Sequence, residues 1–298
     1  MRSCITATEM ETRFTLWMLI FCQLITGSTY MIAKVGLREM DPFSLGCWRF
    51  VLTAAIFALI LLATGRMRSP AAGDWPMFLR LAALCIPLNQ GLFLYGIKDT
   101  FASHGALLYA TSPMVILVLC AAMGREAATR WKVVGLMFGF VGVLLVLAEK
   151  GLEFSWTSLR GDAIVFLAVL VWGLYTIDSK AALTRYEPVY LTGMVMILGA
   201  LMFLPVGIPA AWNQAYTAVT WKGVSSVVYL SLMTSIASYL IWAWALGRLD
   251  AVKVAVVSNL QPVVAAALGW LVLGEQVTLF FLVGALLVAI GVVLTQKG

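Results

Sequence analysis

Residues 104–146, HGALLYATSPMVILVLCAAMGREAATRWKVVGLMFGFVGVLLV, align without a gap on residues 253–295, KVAVVSNLQPVVAAALGWLVLGEQVTLFFLVGALLVAIGVVLT. Pro113 falls on Pro262, Glu126 on Glu275, Thr129 on Thr278, Gly135 on Gly284 and Gly142 on Gly291. A second ungapped match sets residues 24–54 over 170–200, pairing Gly27 with Gly173, Lys34 with Lys180 and Pro42 with Pro188. Two apolar stretches share leucines and valines by composition alone. Proline on proline and glutamate on glutamate need another cause in a chain with 9 prolines and 14 acids. The chain is read as an internal repeat.

Composition says where that repeat resides. Of 298 residues, 62% are hydrophobic and 11% charged, with a mean hydropathy of +0.97. Soluble domains run nearer 45–50% apolar and about 25% charged. A soluble globule of this size cannot hide so much apolar surface, so the chain is expected to be an integral membrane protein. The net charge of +6 is read as loop charge of a membrane protein, with no nucleic acid as partner. Cys4, Cys22, Cys47, Cys85 and Cys120 are odd in number and mostly inside apolar runs, which suits buried thiols better than disulfides. One histidine, His104, leaves no multi-histidine metal site, and neither a cofactor nor a metal is expected. No cleavable signal peptide is evident at the start of the first apolar run.

About 20 residues cross a bilayer as a helix. Ten apolar segments fit, near 15–35, 43–64, 75–97, 102–123, 130–148, 160–180, 189–207, 222–246, 251–273 and 278–295. A transmembrane β-barrel would show weak alternating segments of about ten residues instead. The longest connections, 65–74, 149–159 and 208–221, leave no room for an extramembrane module. With the N-terminus inside, Lys and Arg divide twelve to six in favour of the cytoplasmic ends. Both termini are therefore expected in the cytoplasm.

The expected fold is an all-α integral membrane protein with ten transmembrane helices. Its organisation is a tail at 1–14, a first five-helix repeat at 15–148, an extracytoplasmic connector at 149–159, a second repeat at 160–295 and a cytoplasmic end at 296–298. Five crossings are odd, so the second copy must enter the membrane in the opposite sense. Two inverted halves around a central site are the architecture of secondary transporters.

Several motifs recur in register. Val171-Trp172-Gly173 lies in the first helix of the second repeat, where the first repeat has Ile25-Thr26-Gly27; Arg49-Phe50 lies in the second helix. Each half then ends with a proline-bearing helix, a Gly/Glu turn and a glycine-rich helix: Pro113, Gly124-Arg125-Glu126 and Gly135 to Gly142, then Pro262, Gly274-Glu275 and Gly284 to Gly291. In these features the chain resembles a ten-helix member of the drug/metabolite transporter superfamily, the EamA-like branch, over about residues 15–295. The resemblance implies a multi-pass protein of the bacterial inner membrane that exports or imports amino acids, nucleobases, drugs or other metabolites. Many such members are proton-coupled or facilitative.

Candidate site residues are the polar and aromatic groups inside the segments. Arg49 sits near 10 Å inside its helix at about 1.5 Å per residue, where a charge costs at least a few kcal/mol unless it pairs, snorkels or meets water. It either anchors an anionic group such as a substrate carboxylate or donates to neighbouring backbone carbonyls. Asp178 is a candidate for carrying a coupling proton, or an interfacial acid paired with a base. Pro87, Pro113 and Pro262 interrupt helical hydrogen bonding, as gates or kinks. Around them cluster Asn89, Gln90, Ser112, Asn259 and Gln261, which either line a cavity or repair the broken ladder. Tyr30, Tyr95, Tyr109, Trp172, Tyr175, Tyr239 and Trp242 are aromatic wall candidates, with ordinary packing as the alternative. Glu126 and Glu275 are structural turn residues, expected to meet the positive end of the following helix. The glycines of the fifth and tenth segments serve close helix approach, as a scaffold or a homodimer contact.

The function expected from these features is secondary transport of small metabolites by alternating access, with export of amino acids or related amphipathic solutes leading. Uptake or facilitated passage of nucleobases or drugs is the alternative. A membrane enzyme acting on a lipid-linked substrate would need convergent acids or a nucleophile–base pair, and the scattered acids speak against it. A structural membrane protein would not need Arg49 and the midplane polar clusters. The expected partners are a small-molecule substrate, membrane lipids and a proton.

Overall fold

A computed structural model describes residues 7–148, 156–264 and 279–298, and the long elements among them are all helical. In chain order they are α1 (Ala7–Leu37), α2 (Pro42–Ala63), α3 (Trp75–Ala83), a π-helical stretch (Leu84–Gln90), α4 (Gly91–Asp99), α5 (Ala102–Ala110), α6 (Ser112–Ala122) and α7 (Arg130–Ala148). There follow α8 (Trp156–Ala182), α9 (Pro188–Trp212), α10 (Trp221–Tyr229), a second π-helical stretch (Leu230–Ser238), α11 (Tyr239–Leu246), α12 (Ala251–Ala255) and α13 (Leu279–Gln296). Seven helical stretches of the described residues are long and apolar enough to cross a membrane, with two shorter apolar ones at Ala251–Val264 and Leu282–Gln296. The large apolar side chains Trp17, Leu59, Leu62, Val118 and Leu201 point outward and are mostly exposed, as lipid-facing surface requires. The chain is an all-α multi-pass membrane protein.

Local chemistry sets the helix ends. Asp41 has extended backbone and its carboxylate accepts from the amides of Phe43 (2.9 Å) and Ser44 (3.4 Å), with Pro42 opening α2. Gly65 and Gly124 turn the chain out of α2 and α6 with φ of 65° and 63°, the left-handed conformation that glycine takes without a Cβ penalty. α9 runs through Pro205 and Pro209 to Trp212. The loop expected at 208–221 therefore starts five residues later, because a proline in hydrocarbon bends a helix whose neighbours can still satisfy it.

Paired ties hold the two ends of the bundle. Lys34, near the end of α1, donates to Lys98 O (3.2 Å) at the end of α4. Lys180, its repeat partner near the end of α8, donates to Leu246 O (3.3 Å) and Leu249 O (2.6 Å) after α11. Each lysine neutralises the negative end of a helix. Glu39, between α1 and α2, accepts from Thr220 N, Thr220 Oγ1 and Gly223 N at the start of α10 (2.9, 2.8 and 3.0 Å). Arg185, between α8 and α9, instead grips Asp74 just before α3 at 2.8 and 2.9 Å. Glu11 pairs with Arg248 (3.0 Å), and Lys132 with Glu126 (3.2 Å) and Asp250 (3.3 Å). The start of α1 and the α6–α7 turn thus share one face with the α11–α12 turn, called here the terminal face.

Glu126 does not cap its own following helix. Its Oε1 accepts from Ala251 N at 2.7 Å, the first amide of α12, so the expected cap is formed by a helix 125 positions away. Glu275 lies outside the described residues. The glycines of α7 and α13 are used against each other: a Cβ at Gly142 would lie 2.6 Å from Gly284 O, and one at Gly291 only 2.5 Å from Gly139 N. Backbone meets backbone there, so this stripe is an internal scaffold. Cys22, Cys47, Cys85 and Cys120 are buried free thiols.

One register is shared by two distant elements. Trp75–Ala83 and Trp221–Tyr229 are both nine-residue helices, and each passes into π-helix at its next residue, Leu84 and Leu230. These starts are 146 positions apart, the same offset that sets residues 24–54 on 170–200.

Two outcomes follow. Gly291→Val must push α7 and α13 apart; overpacking of this kind costs about 1–3 kcal/mol or more, and the thermal midpoint of the detergent-solubilised protein is expected to fall by several degrees. The hydrogen bonds from Thr220 hold the Glu39 carboxyl below its usual range. Its stabilisation is therefore complete above the unfolded value of about 4.3 and fades as pH falls through the lower folded one. Glu39→Gln is expected to lower the thermal midpoint at pH 7, and the gap to wild type should close on acidification below about pH 4.

Candidate functional site

The polar groups of the spans converge on one hollow at mid-bundle. About 90 Å³ of space lies between α1, the first π-helical stretch with α4, α5 and α6, α8, the second π-helical stretch with α11, and the segment 258–261. A water needs roughly 10–15 Å³ measured this way, so several waters or a small solute fit. Polar contacts organise one wall: Tyr30 Oη donates to Gln261 Oε1 (2.9 Å), Gln261 Nε2 to Gln23 Oε1 (3.0 Å), and Thr26 Oγ1 to the same Gln23 oxygen (3.1 Å). Opposite, Gln90 Nε2 donates to Tyr239 Oη (3.1 Å) and to Asn89 Oδ1 (2.7 Å). Tyr30, Phe93 and Tyr109 meet edge to face at 5.7–6.1 Å. Trp172 packs against Tyr239 (5.6 Å) and Trp242 (5.3 Å). Among the described residues, the lining carries no carboxylate, ammonium, guanidinium or imidazole group.

Eight of the thirteen cavity candidates line this hollow: Tyr30, Gln90, Tyr109, Ser112, Trp172, Tyr239, Trp242 and Gln261. Trp242 Nε1 is buried there without a hydrogen-bond partner among the described residues. Asn89 stands one layer back, donating to Tyr109 Oη (3.0 Å) and Ala168 O (2.8 Å). Tyr175 is also in the second layer, tilted against Trp172 at 5.4 Å. Asn259 is buried beside Gly139, facing away from the lining. Tyr95 is not in the cavity: it stacks on Phe43 at 5.8 Å and accepts from Arg160 Nη2 at 3.1 Å, near the end of α4 away from the terminal face. Pro87 lies inside the first π-helical stretch. Pro113 opens α6 after a break at Thr111, and Pro262 follows the 3₁₀ turn Val256–Asn259.

Asp178 pairs with Arg80 at 2.9 Å, close to the terminal-face ends of α8 and α3. Of its two readings, this is the geometry of the interfacial acid. Arg49 is fully buried outside the lining. Its Nε donates to Ser235 Oγ (2.9 Å), its carbonyl accepts from Ser231 Oγ (3.0 Å), and its Cζ lies 5.2 Å from the Phe50 ring centre. Nη1 and Nη2 have no partner among the described residues.

The residues missed from the sequence are Cys22, Gln23, Thr26 and Thr29 on α1, Phe93 on α4, Thr234 and Ser238 on the second π-helical stretch, and Ser258. Polar groups at 23, 26, 29 and 30 fall on one face of a helix at three-to-four spacing, which is the signal that would have found the α1 set.

A buried charge whose donors are not all paired costs free energy, and methionine removes that cost while keeping much of the side-chain length. Arg49→Met is therefore expected to keep or raise the thermal midpoint. A fall of several degrees would make the guanidinium a structural strut.

The EamA-like transporter family model matches the chain twice, over residues 13–148 and 159–296. The uncharacterized transporter YyaM of Bacillus subtilis is 29% identical, covering 94% of this chain and 92% of its own length. A probable terminal-alkyne amino-acid exporter of Streptantibioticus cattleyicolor is 27% identical, covering 94% and 93%. One solved crystal structure has the same fold at a TM-score of 0.78 and 17% identity, over 95% of this chain and 98% of that one. Members of this family are transporters and not enzymes. The chain belongs to the EamA-like transporter family.

Proposed function

We propose that the chain exports small, net-neutral amphipathic solutes, amino acids foremost, across a bacterial inner membrane by alternating access. In this reading ten crossings form two five-helix halves inserted in opposite senses, with both termini in the cytoplasm and the terminal face inside. The matched π-helical stretches and the matched lysine ties support the repeat. The observation that carries the substrate reading is the uncharged lining of amides, hydroxyls and aromatic rings contributed by elements from both ends of the chain. A net charge would enter such a space without a counter-charge and lose its hydration. A neutral or zwitterionic solute keeps its own charges balanced, and its apolar part meets rings. The description of the Streptantibioticus relative as an amino-acid exporter agrees with this class.

Transport needs no chemical step. Solute contacts favour one packing of the halves over the other, and export is coupled to inward proton movement. Purified protein in proteoliposomes is expected to exchange radiolabelled leucine and methionine with saturation and trans-stimulation. Gln261→Leu, which breaks the link between Tyr30 and Gln23, is expected to lower exchange at least tenfold with little change in thermal midpoint. Flux that is linear in concentration and indifferent to trans solute would replace the carrier by a channel.

A further inference from the structure

The lone histidine of the chain is buried, and its ring lies against an acid. His104 Nδ1 is 2.9 Å from Asp162 Oδ2, and Thr100 Oγ1 donates to the other carboxylate oxygen. His104 is 4% exposed and the Asp162 side chain 18%. Phe101 covers the ring at 5.3 Å. A carboxylate only accepts, so Nδ1 carries the shared hydrogen.

The cluster bridges elements that bound the cavity. Beneath it α4 and α8 touch backbone to backbone: a Cβ at Gly96 would lie 2.9 Å from Gly161 O, and one at Gly161 would lie 2.8 Å from Gly96 O. That contact clamps α4 to α8, and the His104–Asp162 contact fastens α5 to the clamped pair. Five residues further along α5, about 7.5 Å by helical rise, Tyr109 forms part of the cavity wall. Next to His104, a Cβ at Gly105 would meet the Tyr30 ring at 3.5 Å, and Tyr30 is wall as well.

We propose that His104 and Asp162 form the site where the coupling proton binds. The inference rests on the carrier reading above and moves the coupling role from Asp178, which is engaged with Arg80 at the other face. Imidazole plus a proton gives imidazolium while Asp162 stays ionised, so the pair passes from one net negative charge to none. A buried carboxylate beside a neutral ring favours hydration and an open end. With the proton aboard, the neutral ion pair tolerates enclosure, and α5 closes on α8. The proton enters from the face opposite the termini and leaves toward the cavity past Tyr30.

Among the described residues, the other ionisable groups on the elements packed around the ring are Tyr95, Lys98 and Asp99 on α4, Arg160 on α8, and Lys34 and Tyr30 on α1. Lys34 is directed to Lys98 O and Arg160 to Tyr95 Oη. Facing stretches of α7 and residues 256–259 bring none.

A single histidine makes the test selective. The full chain, carrying a histidine-free affinity tag and ring-¹³C-labelled histidine, is placed in lipid nanodiscs, where it gives one imidazole resonance. That resonance is expected to shift as pH is stepped from 8 to 5, and Asp162→Asn is expected to displace the transition. In proteoliposomes, a pH gradient acid on the side opposite the termini is expected to stimulate wild-type [¹⁴C]leucine efflux several-fold relative to symmetric pH. That ratio should fall to about one in His104→Gln. An imidazole resonance unmoved between pH 8 and 5, or an undiminished ratio in His104→Gln, overturns the proposal. Saturable leucine exchange without any response to the gradient in wild type sinks the proton site and leaves the carrier standing. A titrating resonance moved by Asp162→Asn, without saturable leucine exchange, keeps the proton site and sinks the amino-acid reading.

Discussion

Hydrocarbon offers no hydrogen bonds, so every polar group on a membrane helix must be met by another group of the same molecule or by water the molecule encloses. That demand orders the whole chain. Trp17, Leu59, Leu62 and Leu201 face outward. Threonine, serine and glutamine turn inward and answer one another across the bundle, as in the run from Tyr30 through Gln261 to Gln23. Where inward polar groups from several helices meet, they cannot pack as tightly as leucine on leucine, and the hollow is the space they leave.

Charge obeys the same demand more strictly. The ion pairs Arg80–Asp178, Arg185–Asp74, Glu126–Lys132 and Glu11–Arg248 gather at one face of the bundle. Lys34 and Glu39 tie the other. Between them the described lining of the cavity is uncharged, and behind its wall lies Arg49, two of whose guanidinium nitrogens have no partner among the described residues. These ion pairs thus lie toward the rims, while neutral hydrogen bonds and ring contacts hold the middle.

Much of the fold is legible in residue order. Pro113 over Pro262, and lysine over lysine, are visible because rare residues at matched positions cannot come from composition, and the helix spans follow from apolar length alone. Facing is harder to read. Gln90 and Tyr95 are five residues apart, about 140° around a regular helix, so they must face different ways, but the apolar run around them does not say which of the two faces the cavity. Glu126 shows a second limit. Its place in a turn is readable, yet its partner Ala251 comes from a turn far along the chain and is known only from packing. His104 shows a third, since its meaning comes from Asp162, brought beside it by the close approach of Gly96 and Gly161.

The two π-helical stretches bear on how such a chain arose. A π-turn is an α-helix with one residue too many, and an unneeded surplus residue is readily lost. Here both halves carry one at the same place, after nine helical residues that begin with tryptophan. Two independent insertions would have to coincide in position and survive together. Inheritance asks less: the unit that was later doubled already had the extra residue, and its bulge is older than the joined chain.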